Sequence, residues 1–248
     1  MIRDFANGQA VVSIVSTNRA DNVKKMQDLI GEQVVWVTKD SDREAYLNAG
    51  ATNVVTGGDL CESRNRGIDL AHDRGVTAIE LSDDLSRIDR ALTKSRTISV
   101  TFDEAVNLIL ETLKQTGLKL AGVSPTANAF YTDTDKPVKF EHFIVGDFIA
   151  VSPGTNLRFD PRMKLKEDYD YTLQHLHEYG GVARIDVLLP KFAHRTNSGG
   201  AVDFRTAERE QEAIAFLRSK WGDEIRDNPR RPNEILMKWC KFLHEPRF

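Results

Sequence analysis

Two pairs of adjacent carboxylates are the groups in this 248-residue chain most able to do chemistry. Asp83 and Asp84 follow the short apolar run Ala78–Leu81, and Glu167 and Asp168 open the segment KEDYDYT. Adjacent carboxylates at the end of a strand suit a hard cation, because Mg²⁺ and Mn²⁺ take oxygen ligands and keep positions open for phosphate oxygens. Taken alone, the commoner reading of Ser82-Asp83-Asp84 is a polar turn capping the next helix. A carboxylate beside a substrate hydroxyl acts as a general base where geometry and pKa allow. For Glu167 and Asp168 the plainer reading is an acidic helix start, which the helix dipole favours in any case.

Other groups are placed for anion and nucleotide contacts. In CESRNRGIDL, Arg64 and Arg66 bracket Asn65 at what reads as a helix start, where unbonded N–H groups and the dipole attract an anion. An arginine there forks onto a diphosphate; surface arginines on a solvated helix end are the alternative. Ser16-Thr17-Asn18-Arg19 follows a β-branched run and precedes a helix, so it serves either a nucleobase and ribose or an ordinary N-cap. His194 lies in a polar loop, unlike His175 and His177, which fall within a helical pattern.

The elements positioning these residues alternate. Val11–Ser16, Val34–Thr38, Val54–Val55 and Ala78–Leu81 read as strands, separated by helices over Asp21–Ile30, Arg43–Ala49 and Arg66–Arg74, with stops at Gly50 and Gly75. Such alternation predicts an α/β fold with a mostly parallel sheet and a ligand outside the carboxyl ends of its strands. Further on, Phe102–Thr116 reads as an amphipathic helix and Phe140–Val151 as two strands turning at Gly146-Asp147. A helix follows over Lys166–His177, a strand over Val182–Leu189, a Gly/Ser/Asn loop over Phe192–Val202 and a helix over Ala207–Lys220. No linker divides the chain. One domain, residues 1–224, carries a basic and aromatic C-terminal extension, 225–248, packed on it.

Taken in order, VSIVSTNRADNVKKMQDLI, WVTKDSD, ESRNRGIDLA and ELSDDLS resemble the nucleotide-sugar half of a GT-A glycosyltransferase, a Rossmann-like single-domain fold. The resemblance implies base and ribose contacts from Thr17, Asn18, Arg19 and Asp40, and a diphosphate near Arg64 and Asn65. It implies a divalent metal, Mn²⁺ or Mg²⁺, on Asp84, with Asp83 behind it on the donor side. Ser82 stands where the family's motif begins with aspartate, which weakens the ribose contact of that position and leaves Asp84 as the main metal ligand. His194 is implied as a late metal ligand. Asp168 is the implied base of an inverting transfer, with Glu167 next in line. Farther along, RFDPRMKLKEDYDYTL followed by a Gly-Gly loop resembles the TET-associated glycosyltransferases, encoded mainly by bacteriophages, which glycosylate 5-hydroxymethylpyrimidines in DNA. This implies a UDP-sugar-like donor and a DNA acceptor. A protein, glycan or small-molecule acceptor is the alternative on the same fold. A nucleotidyltransferase would need a Gly-rich phosphate loop near Ser16–Asp21, where none stands. A non-enzymatic binding module is the fourth reading.

Charge bounds the acceptor. With 34 Lys+Arg and 37 Asp+Glu the balance is 34 − 37 = −3, which excludes a basic coat over the whole surface. From Ile225 to Phe248, six basic residues face three acidic ones, 6 − 3 = +3, with Arg226, Arg230 and Arg231 around Pro229. A DNA contact is therefore expected to be local. Cys61 and Cys240 give no disulfide framework, and no apolar run spans a bilayer. A reduced, cytoplasmic protein is expected (in the host cytoplasm, if phage-encoded).

Overall fold

The computed structural model describes residues 8–193, 205–231 and 234–238. Strand β1 (Ala10–Val15) leads through a 3-10 turn into helix α1 (Val23–Ile30), then β2 (Val35–Thr38), α2 (Arg43–Asn48), β3 (Val54–Thr56), α3 (Leu60–His72) and β4 (Thr77–Ser82). The chain then forms the hairpin β5 (Leu85–Thr93) and β6 (Arg96–Val100), helix α4 (Phe102–Thr116), and strands β7 (Leu120–Val123), β8 (Val138–Lys139) and β9 (Phe148–Val151). Helix α5 (Glu167–Tyr179), strands β10 (Ala183–Ile185) and β11 (Leu188–Phe192), helix α6 (Ala207–Trp221) and strands β12 (Ile225–Asp227) and β13 (Ile235–Met237) follow.

The central sheet has eight strands in the order β3-β2-β1-β4-β9-β7-β10-β8. All run parallel except β9 and the edge strand β8. The fold is thus mixed α/β with a mostly parallel sheet in one domain, as the alternation of elements implies. Strands such as AVVSIV and VWVT are buried along nearly their whole length because helices cover both faces. Val12, Ile14, Trp36 and Ile79 pack against α1 and α4 on one face; Val11, Val35, Val37 and Ala78 pack against α3, α5 and α6 on the other. Ile225 and Ile235 of the last hairpin are buried in this second cluster. No helix among the described residues is long and apolar enough to cross a membrane.

Four local readings need correction. Helix α3 begins at Leu60, not near Arg66, because Asp59 and Glu62 form a capping box upstream. The element after Asp84 is a strand, so the Asp pair is the junction between the central sheet and a second sheet, ordered β11-β5-β6. Within Phe140–Val151 only Phe148–Val151 is a strand. The Ile144 N–H is bonded instead to the Thr172 hydroxyl on α5 (3.2 Å), and Phe143 stacks on Tyr169. Val182–Leu189 divides at Asp186, whose carboxylate is held by Arg184 and whose N–H donates to the Pro137 carbonyl (2.8 Å), so its halves join different sheets.

Candidate active site

The loops after β1 and β4 meet at the carboxyl edge of the sheet. Asp83 is 3% exposed. Its Oδ1 pairs with Arg19 Nη1 at 3.0 Å, and its Oδ2 accepts from the Ser16 hydroxyl. Ser16 also bonds Tyr46 Oη at 2.5 Å, and Tyr46 accepts from the Arg19 N–H at 3.2 Å. Tyr46, on α2, is wholly buried, and burial pushes its phenol up to about 12, so it stays a neutral hydrogen-bonding group. Ser16 opens the loop that the sequence points to; Tyr46 is a residue of this group that the motifs did not single out.

The rest of that loop is more open. Asn18 is exposed in the left-handed region at φ 57°, and its N–H donates to Asp42 Oδ2 at 3.0 Å. Asparagine takes that conformation more readily than most side chains. Thr17 is half-buried beside it. Asp40 lies exposed just beyond β2 and accepts from the Thr56 hydroxyl at 3.2 Å. Thr17, Asn18, Arg19 and Asp40 therefore gather on the edge that carries Asp83.

Ser82 holds the next link. Its hydroxyl donates to Asp147 Oδ1 at 3.1 Å, and its N–H donates to the Asp147 carbonyl at 2.9 Å. The neighbouring Gly146 N–H donates to Asp168 Oδ2 at 3.2 Å. The Asp83 loop and the Asp168 helix start are thereby brought to one edge through two short segments. Helix α5 begins abruptly: Lys166 sits in the left-handed region at φ 61°, and its Nζ lies 2.5 Å from Glu210 Oε2 on α6. Glu167 and Asp168 consequently take the first turn of the helix.

Asp168 borders a tight crevice, without room for a water molecule, walled by Leu120, Ile144, Ile149 and Phe159. Burial there and then the charge of Glu167 push its carboxyl up to about 7. A carboxyl in that range takes and releases a proton near neutral pH. A broader groove of about 670 Å³ lies along Lys136–His142 and contains none of these residues.

Arg64 and Asn65 are not where the sequence places them. With α3 starting at Leu60, both stand in its second turn, away from the free N–H groups. Arg64 is 6% exposed; its Nη2 lies 3.3 Å from Glu167 Oε1, its Nη1 lies 3.6 Å from Glu80 Oε2, and Nη1 donates to the Gly146 carbonyl at 2.9 Å. Asn65 exchanges two 2.8 Å bonds with the main chain of Phe159. A diphosphate would have to displace carboxylates from the one and a backbone pair from the other. Glu80, unnoticed in the sequence, is fully buried with neither carboxylate oxygen hydrogen-bonded, and burial pushes it up to about 8.

The metal expectation rests on Asp84 and His194. Among the described residues no three His, Cys, Asp or Glu side chains come together as a metal cluster, and Asp83 is already ion-paired. A cation carried in with a donor's phosphates would ask less of the protein, since Mg²⁺ is commonly held by one or two carboxylates plus phosphate oxygens, and Asp84, buried after β4, would be the carboxylate for it. His194 lies outside the described residues. Ala193, just before it, donates its N–H to the Asp84 carbonyl at 3.1 Å, because β11 pairs with β5 up to that point. His175 is buried against the Tyr171 carbonyl and lowered to about 4, and His177 pairs with Glu224 at 2.8 Å.

No protein-family profile and no curated protein matches the chain. Among solved structures, a CMP:2-keto-3-deoxy-manno-octonic acid synthetase complexed with CTP is similar over 72% of this chain and 90% of that one, with 13% identity and a TM-score of 0.39. A likeness that distant carries no argument about this chain, and nothing in these matches points to the TET-associated enzymes.

Proposed function

We propose that the protein is a glycosyltransferase that moves a sugar from a nucleotide-sugar donor to a hydroxyl group. The observation that carries this reading is the linkage of Asp83 with Arg19 to Asp168 through Ser82, Asp147 and Gly146 at one sheet edge. It links the groups proposed here to contact the nucleotide to a carboxylate able to take a proton. Thr17, Asn18, Arg19 and Asp40 would hold the base and ribose, with Arg19 kept in place by Asp83. Asp168 would accept the proton of the acceptor hydroxyl as its oxygen bonds the anomeric carbon and the bond to the diphosphate breaks, giving inversion in one displacement. A divalent cation held by Asp84 and His194 would offset the charge on the departing diphosphate.

For the acceptor we propose 5-hydroxymethylcytosine in DNA, with a UDP-glucose-like donor. The sequence resemblance supports this, and so do Arg226, Arg230 and Arg231, which are exposed on the last hairpin beside Asp227 and Glu234. Calorimetric titration with UDP-sugars tests the division of labour. Asp168→Asn should bind donor as the wild type does, while Asp83→Asn should bind it more weakly. Loss of donor binding in Asp168→Asn with no effect in Asp83→Asn would overturn the assignment.

A further inference from the structure

We propose that Arg64 is a positioning residue, one guanidinium that joins three chain segments and fixes where the Asp168 carboxylate stands. The inference rests on reading Asp168 as the base and takes that reading a step further. Arg64 reaches from α3 to Glu80 on β4 (3.6 Å), to Glu167 at the start of α5 (3.3 Å) and to the Gly146 carbonyl before β9 (2.9 Å). The Phe159 ring closes the remaining side, its centroid 5.2 Å from Cζ. Gly146 is the point of transmission: its carbonyl accepts from Arg64 and its N–H donates to Asp168 Oδ2. Glycine lets the two groups approach, and a side chain there would have to push the guanidinium aside. A Cβ at position 146 would stand 2.6 Å from Arg64 Nη2 and 3.5 Å from the Asp168 Cβ.

The charges around Asp168 give this arrangement a chemical consequence. Glu167 on the same helix and Asp147 from the loop before β9 raise its carboxyl, and Arg64 from α3 opposes them. Glu80, on β4, faces Arg64 and shares its charge. Moving the guanidinium should therefore shift Asp168.

The test is a carboxyl-carbon NMR titration of Asp168 in the full chain, with kinetics alongside. Arg64→Gln keeps polarity and removes the charge; Gly146→Ala keeps the charge and crowds it aside. Arg64→Gln should raise the Asp168 midpoint by about one pH unit or more. Gly146→Ala should move it in the same direction, and the double variant should go no further than Arg64→Gln alone, since both act through one contact. Turnover should fall with KM for the nucleotide sugar held. An unmoved Asp168 midpoint in the folded variants, or a rise in KM alone, overturns the proposal. If Arg64→Gln does not fold, Gly146→Ala decides by the same midpoint. Failure to find transfer with any donor would count against the proposed function, and the midpoint would still decide the role of Arg64.

Discussion

Arg19 and Asp83, 64 positions apart, form a 3.0 Å ion pair at the carboxyl edge of the sheet, with Ser16 and Tyr46 bonded into the same group. Tyr46→Phe removes the hydroxyl that meets both Ser16 and the Arg19 N–H. It should cost about 1–2 kcal/mol of stability and weaken nucleotide binding by about tenfold or less. Thermal melts and a nucleotide titration check this. Unchanged binding would separate Tyr46 from the donor site.

Asp168→Asn removes a proton acceptor while keeping size and shape. Transfer should fall by about 10²–10⁴-fold, measured as initial rate at saturating donor. In the wild type, turnover should rise with pH through the Asp168 carboxyl at about 7. A rate flat from pH 5.5 to 8 would assign the base elsewhere.

Glu80→Gln has a signed pH dependence. Burial raises the folded carboxyl from 4.5 to about 8, so the native state favours the protonated form. Its stability is full below about pH 4.5 and is lost as pH rises through about 8. Gln mimics the protonated acid. The variant should therefore match the wild type near pH 4 and exceed it by at most about 5 kcal/mol at pH 9. Chemical denaturation at the two pH values checks the sign; a deficit at pH 9 would mean that the Arg64–Glu80 attraction outweighs burial.

Much of the first half was legible because its strands are buried on both faces and so read as apolar runs. Helix α4 was legible from its stripe of Ala105, Ile109 and Leu113, and the structure adds the Thr101 capping box and Gly117 in the left-handed region. The hairpin Leu85–Val100 left no such trace, since one side of it is open and its charges are interleaved with its apolar residues. Arg64 and Asn65 went astray for a different reason. Their partners, Gly146 and Phe159, are 82 and 94 positions away, and spacing along the chain does not report contacts of that range. Glu80 did leave a signal. A lone carboxylate within the buried strand TAIELS needs a partner or a proton.

Replacing Arg226, Arg230 and Arg231 together by glutamine tests the local DNA footprint. Arg231 already pairs with Glu234 at 3.0 Å, so fewer than three phosphate contacts are expected to vanish. The log–log salt slope of DNA binding should shrink by about 1–2. An unchanged slope would place DNA elsewhere or remove it as acceptor.

The most direct test of the central claim is mass spectrometry of nucleosides recovered after incubating the protein with 5-hydroxymethylcytosine DNA, Mg²⁺ or Mn²⁺, and a panel of nucleotide sugars. The account predicts that one donor adds a sugar mass to the hydroxymethylated nucleoside and that Asp168→Asn removes the product. No mass shift with any donor would contradict the DNA acceptor, and an undiminished product with Asp168→Asn would contradict the assignment of the base.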